Sequence, residues 1–210
     1  MEKHFDAMKK AGLSLAIFAF ISVLLVTTTN QLTHRKIAEN KAMMLLQALN
    51  EVVLPNRYDN DLAKSQTILS AKETGLTKDS IVYFAMKDNT PIAAIFEVTT
   101  LQGYGGAIKV LVGVNVTDQS IAGIRVVQHK ETPGLGDKME LRKSNWVLSF
   151  DGKSLSNPHV NEWQVKKDGG NFDQFTGATI TPRAIVNIIR STLLYAQDNL
   201  DRLFQERQKQ

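Results

Sequence analysis

Residues 80–128 read SIVYFAMKDNTPIAAIFEVTTLQGYGGAIKVLVGVNVTDQSIAGIRVVQ, and this stretch decides the fold class. Four runs within it are rich in β-branched and aromatic residues: Ser80–Met86, Pro91–Thr99, Ala107–Val116 and Ser120–Gln128. Such runs, bounded by polar turn residues, read as strands. Asp88-Asn89 separates the first pair and Asp118-Gln119 the last. Links this short join antiparallel neighbours, because a parallel crossover needs a dozen residues or more. The expectation is an α+β domain built on an antiparallel meander.

Downstream the texture changes. His129–Met139 (HKETPGLGDKM) is rich in Gly, Pro and polar groups and reads as an ordered loop. Met139–Ser149 is mixed, with a helical reading favoured. Val160–Val165 is a candidate short strand, and Asp168–Asn171 another loop. The chain closes in a strong helix with Thr181 as N-cap and Pro182 at the first helical position. Ile185, Ile188, Ile189, Leu193, Ala196, Leu200, Leu203 and Phe204 then share one face, which is expected to pack on the sheet.

Upstream, residues 11–29 (AGLSLAIFAFISVLLVTTT) carry no charge. At ~1.5 Å per residue they span about 28 Å, close to the thickness of a bilayer core. Three readings stand: a retained transmembrane helix, a cleaved signal peptide, and a buried soluble helix. The weak cleavage context after Val26 favours the anchor. Lys3, Lys9 and Lys10 before the span face Arg35, Lys36 and Lys41 after it, so the positive-inside rule gives no orientation. Leu32, Ala38, Ala42, Leu45, Leu46 and Leu49 continue a helical stripe until Pro55-Asn56. The expected organisation is a tail at 1–10, a span at 11–29, a helical linker at 30–55 and a soluble domain at 56–210.

Composition removes several classes of function. Of 210 residues, 43% are hydrophobic and 22% charged, which suits a folded domain. The chain has no cysteine, which excludes disulfides, thiol nucleophiles and Cys-ligated clusters. Redox chemistry would therefore need an organic cofactor or a metal on other ligands. His4, His34, His129 and His159 share no ligand spacing, so no metal site is expected. The +4 net charge is spread without a basic run, which argues against nucleic acid.

The chemistry concentrates at residues 173–182, DQFTGATITP. Thr179 precedes a helix start, where unpaired N–H groups and the helix dipole favour an anion. Gly177 and Ala178 leave the backbone open to close approach. A phosphate beside a threonine hydroxyl fits this pattern. A plain turn with a helix cap fits it too.

Asp173-x-x-Thr176-Gly177-Ala178-Thr179 resembles the flavinylation motif D-x-x-(S/T)-G-A-T of FMN-binding electron-transfer subunits. Glu131-Thr132-Pro133-Gly134-Leu135-Gly136 is similar to the E-T-P-G-L-G loop of that family. The glycine-rich Gly103-Tyr104-Gly105-Gly106 before a strand agrees with it as well. The chain looks most like the G-subunit family of Rnf (Rsx) ion-translocating electron transport complexes. The same domain occurs in the C subunit of the sodium-translocating NADH:quinone reductase.

The resemblance implies a flavoprotein component of an electron-transport translocase rather than a stand-alone enzyme, with no catalytic residue of its own. It implies FMN covalently held by a phosphoester on Thr179, which makes the chain a phosphoprotein, installed by a flavin transferase from FAD. It also implies partner subunits, a bacterial inner-membrane span, a cytoplasmic tail and a periplasmic domain. Thr176 then either bonds the phosphate or serves as a turn hydroxyl, while Gly177 and Ala178 provide room. Glu131 and Thr132 either bond the polar edge of the isoalloxazine or cap their own loop. Gly134 belongs to the same loop, and Leu135 either packs on the ring or joins the core. Gly134-Leu135-Gly136 lacks the third glycine of a dinucleotide fingerprint. The alternative function is an anchored extracytoplasmic binding or structural protein without a cofactor. A threonine-nucleophile hydrolase lacks a recognisable base partner.

Overall fold

The computed structural model describes residues 2–207. The chain divides into two compact units, Met1–Met44 and Leu45–Gln210, and each is described by itself. The expected domain limit at residue 210 lies outside the described residues.

The first unit lies on helix α1 (Glu2–Val52). It contains the one helix among the described residues that is long and apolar enough to cross a membrane. Leu13, Ile17, Phe18, Phe20, Ile21, Leu24 and Leu25 are all exposed, so apolar side chains run round the helix. A helix apolar all round has the length and composition of a membrane span.

The second unit holds a five-stranded antiparallel sheet in the order β1-β2-β3-β4-β5. Its strands are β1 (Gln66–Leu69), β2 (Ser80–Lys87), β3 (Thr90–Gly103), β4 (Gly106–Asn115) and β5 (Ile121–Gln128). The expected meander is present, with one further edge strand, β1. Four residues were too few to show a strand pattern there. Asp88 and Asn89 both take positive φ (49° and 61°), as a tight two-residue hairpin link demands.

Side chains alternate between two buried faces, which is why these strands read as nearly continuous apolar runs. Val82, Phe84, Ala94, Phe96, Val98, Val110, Val112 and Ile124 form one face. It packs on helix α3 (Ile180–Arg207) through Ile185, Ile189, Leu193, Ala196 and Leu200. Tyr83, Ala85, Ala93, Ile95 and Leu111 form the other face, covered by Leu49, Val52, Val53 and Leu62. Close approach here depends on missing side chains. Gly113 pairs with Gly123 across β4 and β5. A Cβ on Gly113 would stand 2.4 Å from Val52 Cγ1, and one on Gly123 would stand 2.8 Å from the Val52 carbonyl. The end of α1 therefore lies directly on a two-glycine gap.

The segment between β5 and α3 carries little regular structure. Short 3-10 turns occupy Gly136–Met139, Asn145–Phe150, Val160–Glu162 and Lys166–Asp168. The expected strand at Val160–Val165 is instead a 3-10 turn followed by an isolated bridge between Val165 and Phe172. The helical reading of Met139–Ser149 reduces to two 3-10 turns. Packing of aromatic side chains decides both. Trp146, Phe150, Trp163, Phe172 and Phe175 form a contiguous cluster with ring centroids 4.5–6.2 Å apart. Helix α2 (Ala71–Thr74) is a single turn capped by Ser70.

Gly123→Ala forces the β5 backbone away from α1. It should destabilise the protein by about 1–3 kcal/mol, the usual cost of overpacking. Thermal unfolding of the detergent-solubilised chain measures this, and an unchanged melting temperature would show that the gap is not tight.

Candidate functional site

Two consecutive segments and a third, some forty residues earlier in the sequence, meet at the N-terminus of α3. The first is Phe175–Ala178, a four-residue turn closed by the Ala178 N–H on the Phe175 carbonyl at 3.1 Å. Gly177 takes φ +81° at its third position, where type II turns require a positive φ. The turn is anchored from below: Phe175 is buried and meets Trp146 edge-on at 5.0 Å. The Trp146 indole N–H donates to the Asp173 carbonyl at 2.8 Å. Asp173 itself points outward and pairs with Lys166 at 2.6 Å.

The second segment is α3. It starts at Ile180, so Thr179 stands immediately before it and Thr181 lies inside its first turn. The expected N-cap at Thr181 is therefore two residues late. Thr181 is fully buried, and its hydroxyl donates to Glu131 rather than capping the helix. The Arg183 N–H reaches the Thr179 carbonyl at 3.3 Å, and Pro182 brings no N–H. The N–H groups of Ile180 and Thr181 belong to the unpaired set at a helix start.

The third segment is the loop Glu131–Gly136. The N–H groups of Leu135 and Gly136 both donate to the Thr132 carbonyl at 3.1 Å, and the Gly134 N–H donates to buried Asp137 Oδ1 at 2.8 Å. Leu135 is 43% exposed and leans over the turn: its Cδ2 lies 3.6 Å from where a Gly177 Cβ would be. Glu131 is only 6% exposed. Its Oε1 accepts from the Gly105 N–H at 2.8 Å, and its Oε2 accepts from Thr181.

His129 holds the root of this loop. Its Nδ1 accepts from the Glu131 N–H at 3.1 Å, which leaves Nε2 to donate to Glu140 at 2.9 Å. Burial pushes the Glu140 carboxyl up, but the bonds from Arg142 and His129 outweigh burial and leave it below the usual range.

Every residue proposed from sequence thus lies on one of two loops that the fold brings together. Thr176, Gly177, Ala178 and Thr179 lie on one, and Glu131, Thr132, Gly134 and Leu135 on the other. Thr176, Thr132 and Gly134 are exposed, and Ala178 and Thr179 are half-buried. Sequence reasoning missed Thr181, Gly105 and Trp146 as parts of the site. Thr181 carried a signal as a hydroxyl near the helix start, and Gly105 as part of the glycine-rich run 103–106.

Two family models match this architecture: an RnfG N-terminal region at residues 1–52 and an FMN-binding domain at residues 103–194. The second contains both loops and the N-terminal part of α3. The G subunit of the ion-translocating oxidoreductase complex of Vibrio atlanticus (strain LGP32) is 46% identical over 194 residues, covering 92% of each chain. The chain belongs to the family of G subunits of ion-translocating oxidoreductase complexes. A further member of this family, from Escherichia coli (strain K12), is 46% identical over 190 residues, covering 90% of this chain and 91% of the relative. Among solved structures, Shewanella oneidensis NqrC aligns with a TM-score of 0.45 at 20% identity, over 72% of this chain and 76% of that one.

Arg183 makes a two-pronged bond to Asp168, at 2.6 and 2.8 Å, tying the loop at 166–170 to the first turn of α3. That bond holds the Asp168 carboxyl below its ordinary value. A depressed folded-state value stabilises above the ordinary carboxylate range and is lost as pH falls through the lowered value. Melting temperatures of wild type and Asp168→Asn should therefore differ most at neutral pH and converge in acid. A gap that widens in acid would contradict the assignment.

Proposed function

We propose that this chain is the flavin-bearing electron-transfer component of an ion-translocating oxidoreductase complex, with FMN joined through its phosphate to Thr179. The observation that carries the proposal is the placement of Thr179. The residue stands at the start of a 28-residue helix and follows an open glycine turn that an exposed apolar side chain from the second motif approaches.

The site fits the group. A phosphate at Thr179 would meet the N–H groups of the first turn of α3 and the positive end of its dipole. Gly177 leaves open the space that a side chain would fill, apart from Leu135 at 3.6 Å. Leu135, beside Gly177, and Ile180, next in the chain to Thr179, are 43% and 45% exposed and offer apolar surface for the isoalloxazine. Thr176 is exposed in the same turn, which suits a hydroxyl donating to phosphate. Bound FMN supplies the electron-carrying chemistry, and the protein supplies attachment, orientation and surroundings.

Attachment requires a partner enzyme. The Thr179 oxygen forms a bond to the flavin-side phosphorus of FAD. The P–O–P bond breaks and AMP leaves, and the hydroxyl proton passes to a base of the transferase. The apolar N-terminal helix then acts as an inner-membrane anchor, with the flavin domain on the periplasmic side and the other subunits of the complex as electron partners. The names of its relatives support the complex, and the exposed apolar helix supports the anchor.

Thr179→Ala should keep the melting temperature of the unflavinylated chain while losing all acid-stable flavin after co-expression with a flavin transferase. Retention of acid-stable flavin on that variant would move the attachment elsewhere.

A further inference from the structure

Glu131 lies in a motif beside the flavin site, yet it turns both carboxylate oxygens inward. One accepts from the Gly105 N–H in the β3–β4 turn and the other from the Thr181 hydroxyl in the first turn of α3. The carboxylate is also enclosed. A Cβ on Gly103 would lie 2.8 Å from Oε1, and a Cβ on Gly136 would lie 2.8 Å from Oε2 and 3.0 Å from Thr181 Oγ1. A side chain on Gly105 would strike the Lys130 carbonyl at 2.1 Å. Glycines therefore wall the carboxylate on two sides and bring the β3–β4 turn against it. Both oxygens of Glu131 are thus engaged within the protein.

The geometry assigns Glu131 and Thr181 as a positioning pair that sets the first turn of α3 and so aims the Thr179 hydroxyl for phosphoryl transfer from FAD. This rests on the covalent-flavin reading above. Thr181 follows Thr179 by two residues, and the bond from the Arg183 N–H to the Thr179 carbonyl closes the same turn. A threonine has few χ1 choices, so a bond at its hydroxyl holds its backbone as well. A buried carboxylate is tolerable only when its oxygens have donors, which makes the pairing obligatory rather than optional. The helix dipole adds to this by favouring a negative group at the start of α3. The transfer step is Thr179 Oγ–P bond formation with P–O–P cleavage and departure of AMP. Neither Glu131 nor Thr181 touches the reacting atoms, so neither is catalytic. Misplacing a reacting group by about 1 Å costs up to a hundredfold in rate.

The test is the rate of covalent FMN loading on the full chain in detergent, with purified flavin transferase and FAD, followed by intact mass. Thr181→Val removes the hydroxyl at constant shape, Thr181→Ser keeps it, and Glu131→Gln removes the charge at constant shape. Thr181→Val and Glu131→Gln should each lower the kcat of loading by about tenfold or more, with the KM for the chain unchanged. Thr181→Ser should restore loading. The double variant should be no slower than the slower single one, because the two residues act through one contact. Wild-type kcat in both single variants, or effects that multiply in the double, would overturn the pair. If Thr181→Val fails to fold, Glu131→Gln decides alone, with wild-type kcat again overturning it. Failure of the wild-type chain to load, with a transferase that labels a control protein, would instead overturn the covalent-flavin reading itself.

Discussion

The Glu131 carboxylate is the contact on which the arrangement of the site depends. It accepts one hydrogen bond from the β3–β4 turn and one from the first turn of α3, and its own backbone is held by His129. Three segments well separated in sequence are tied at one buried group. Hydrogen bonds to a charged acceptor are stronger than those between neutral groups, and a buried one left unpaired would be costly. The register between the Glu131–Gly136 loop and the α3 start is fixed accordingly, and with it the closeness of Leu135 to Gly177.

The sheet supplies the frame for that contact. One face packs on α3 and the other on the last turns of α1, where the Gly113–Gly123 pair admits Val52. The aromatic cluster around Trp146, Phe150 and Phe172 performs the same service for the irregular segment. It buries Phe175 and so pins the turn that presents Thr179. A segment with so little regular backbone pairing is ordered by side-chain burial, at roughly 1.5–3 kcal/mol for each large apolar group.

Much of this was legible in the sequence because the signals were periodic or punctuated. The four principal strands followed from β-branched runs broken at Asp88-Asn89 and Asp118-Gln119, and the C-terminal helix from the spacing of Ile185, Ile189, Leu193 and Leu200. The two motif loops were legible as chemistry, through resemblance, before they were known to meet. What escaped reading was set by tertiary contact. Thr181 looked like a cap because hydroxyls favour that position, but its hydroxyl donates to a buried carboxylate fifty residues earlier. Val160–Val165 looked like a strand because its composition suits one, yet Trp163 turns into the aromatic cluster and sends its indole N–H to the Ser154 and Pro158 carbonyls. Strand β1 and helix α2 were too short to carry a pattern. The close approach of β4–β5 to α1 gave only two isolated glycines as its trace.

The measurement that bears most directly on the account is peptide mapping by mass spectrometry of the denatured chain, purified after co-expression with a flavin transferase. The account predicts a single FMN-sized addition on the peptide that contains Thr179. An unmodified Thr179 peptide, from cells in which the transferase demonstrably labels a control protein, would contradict it.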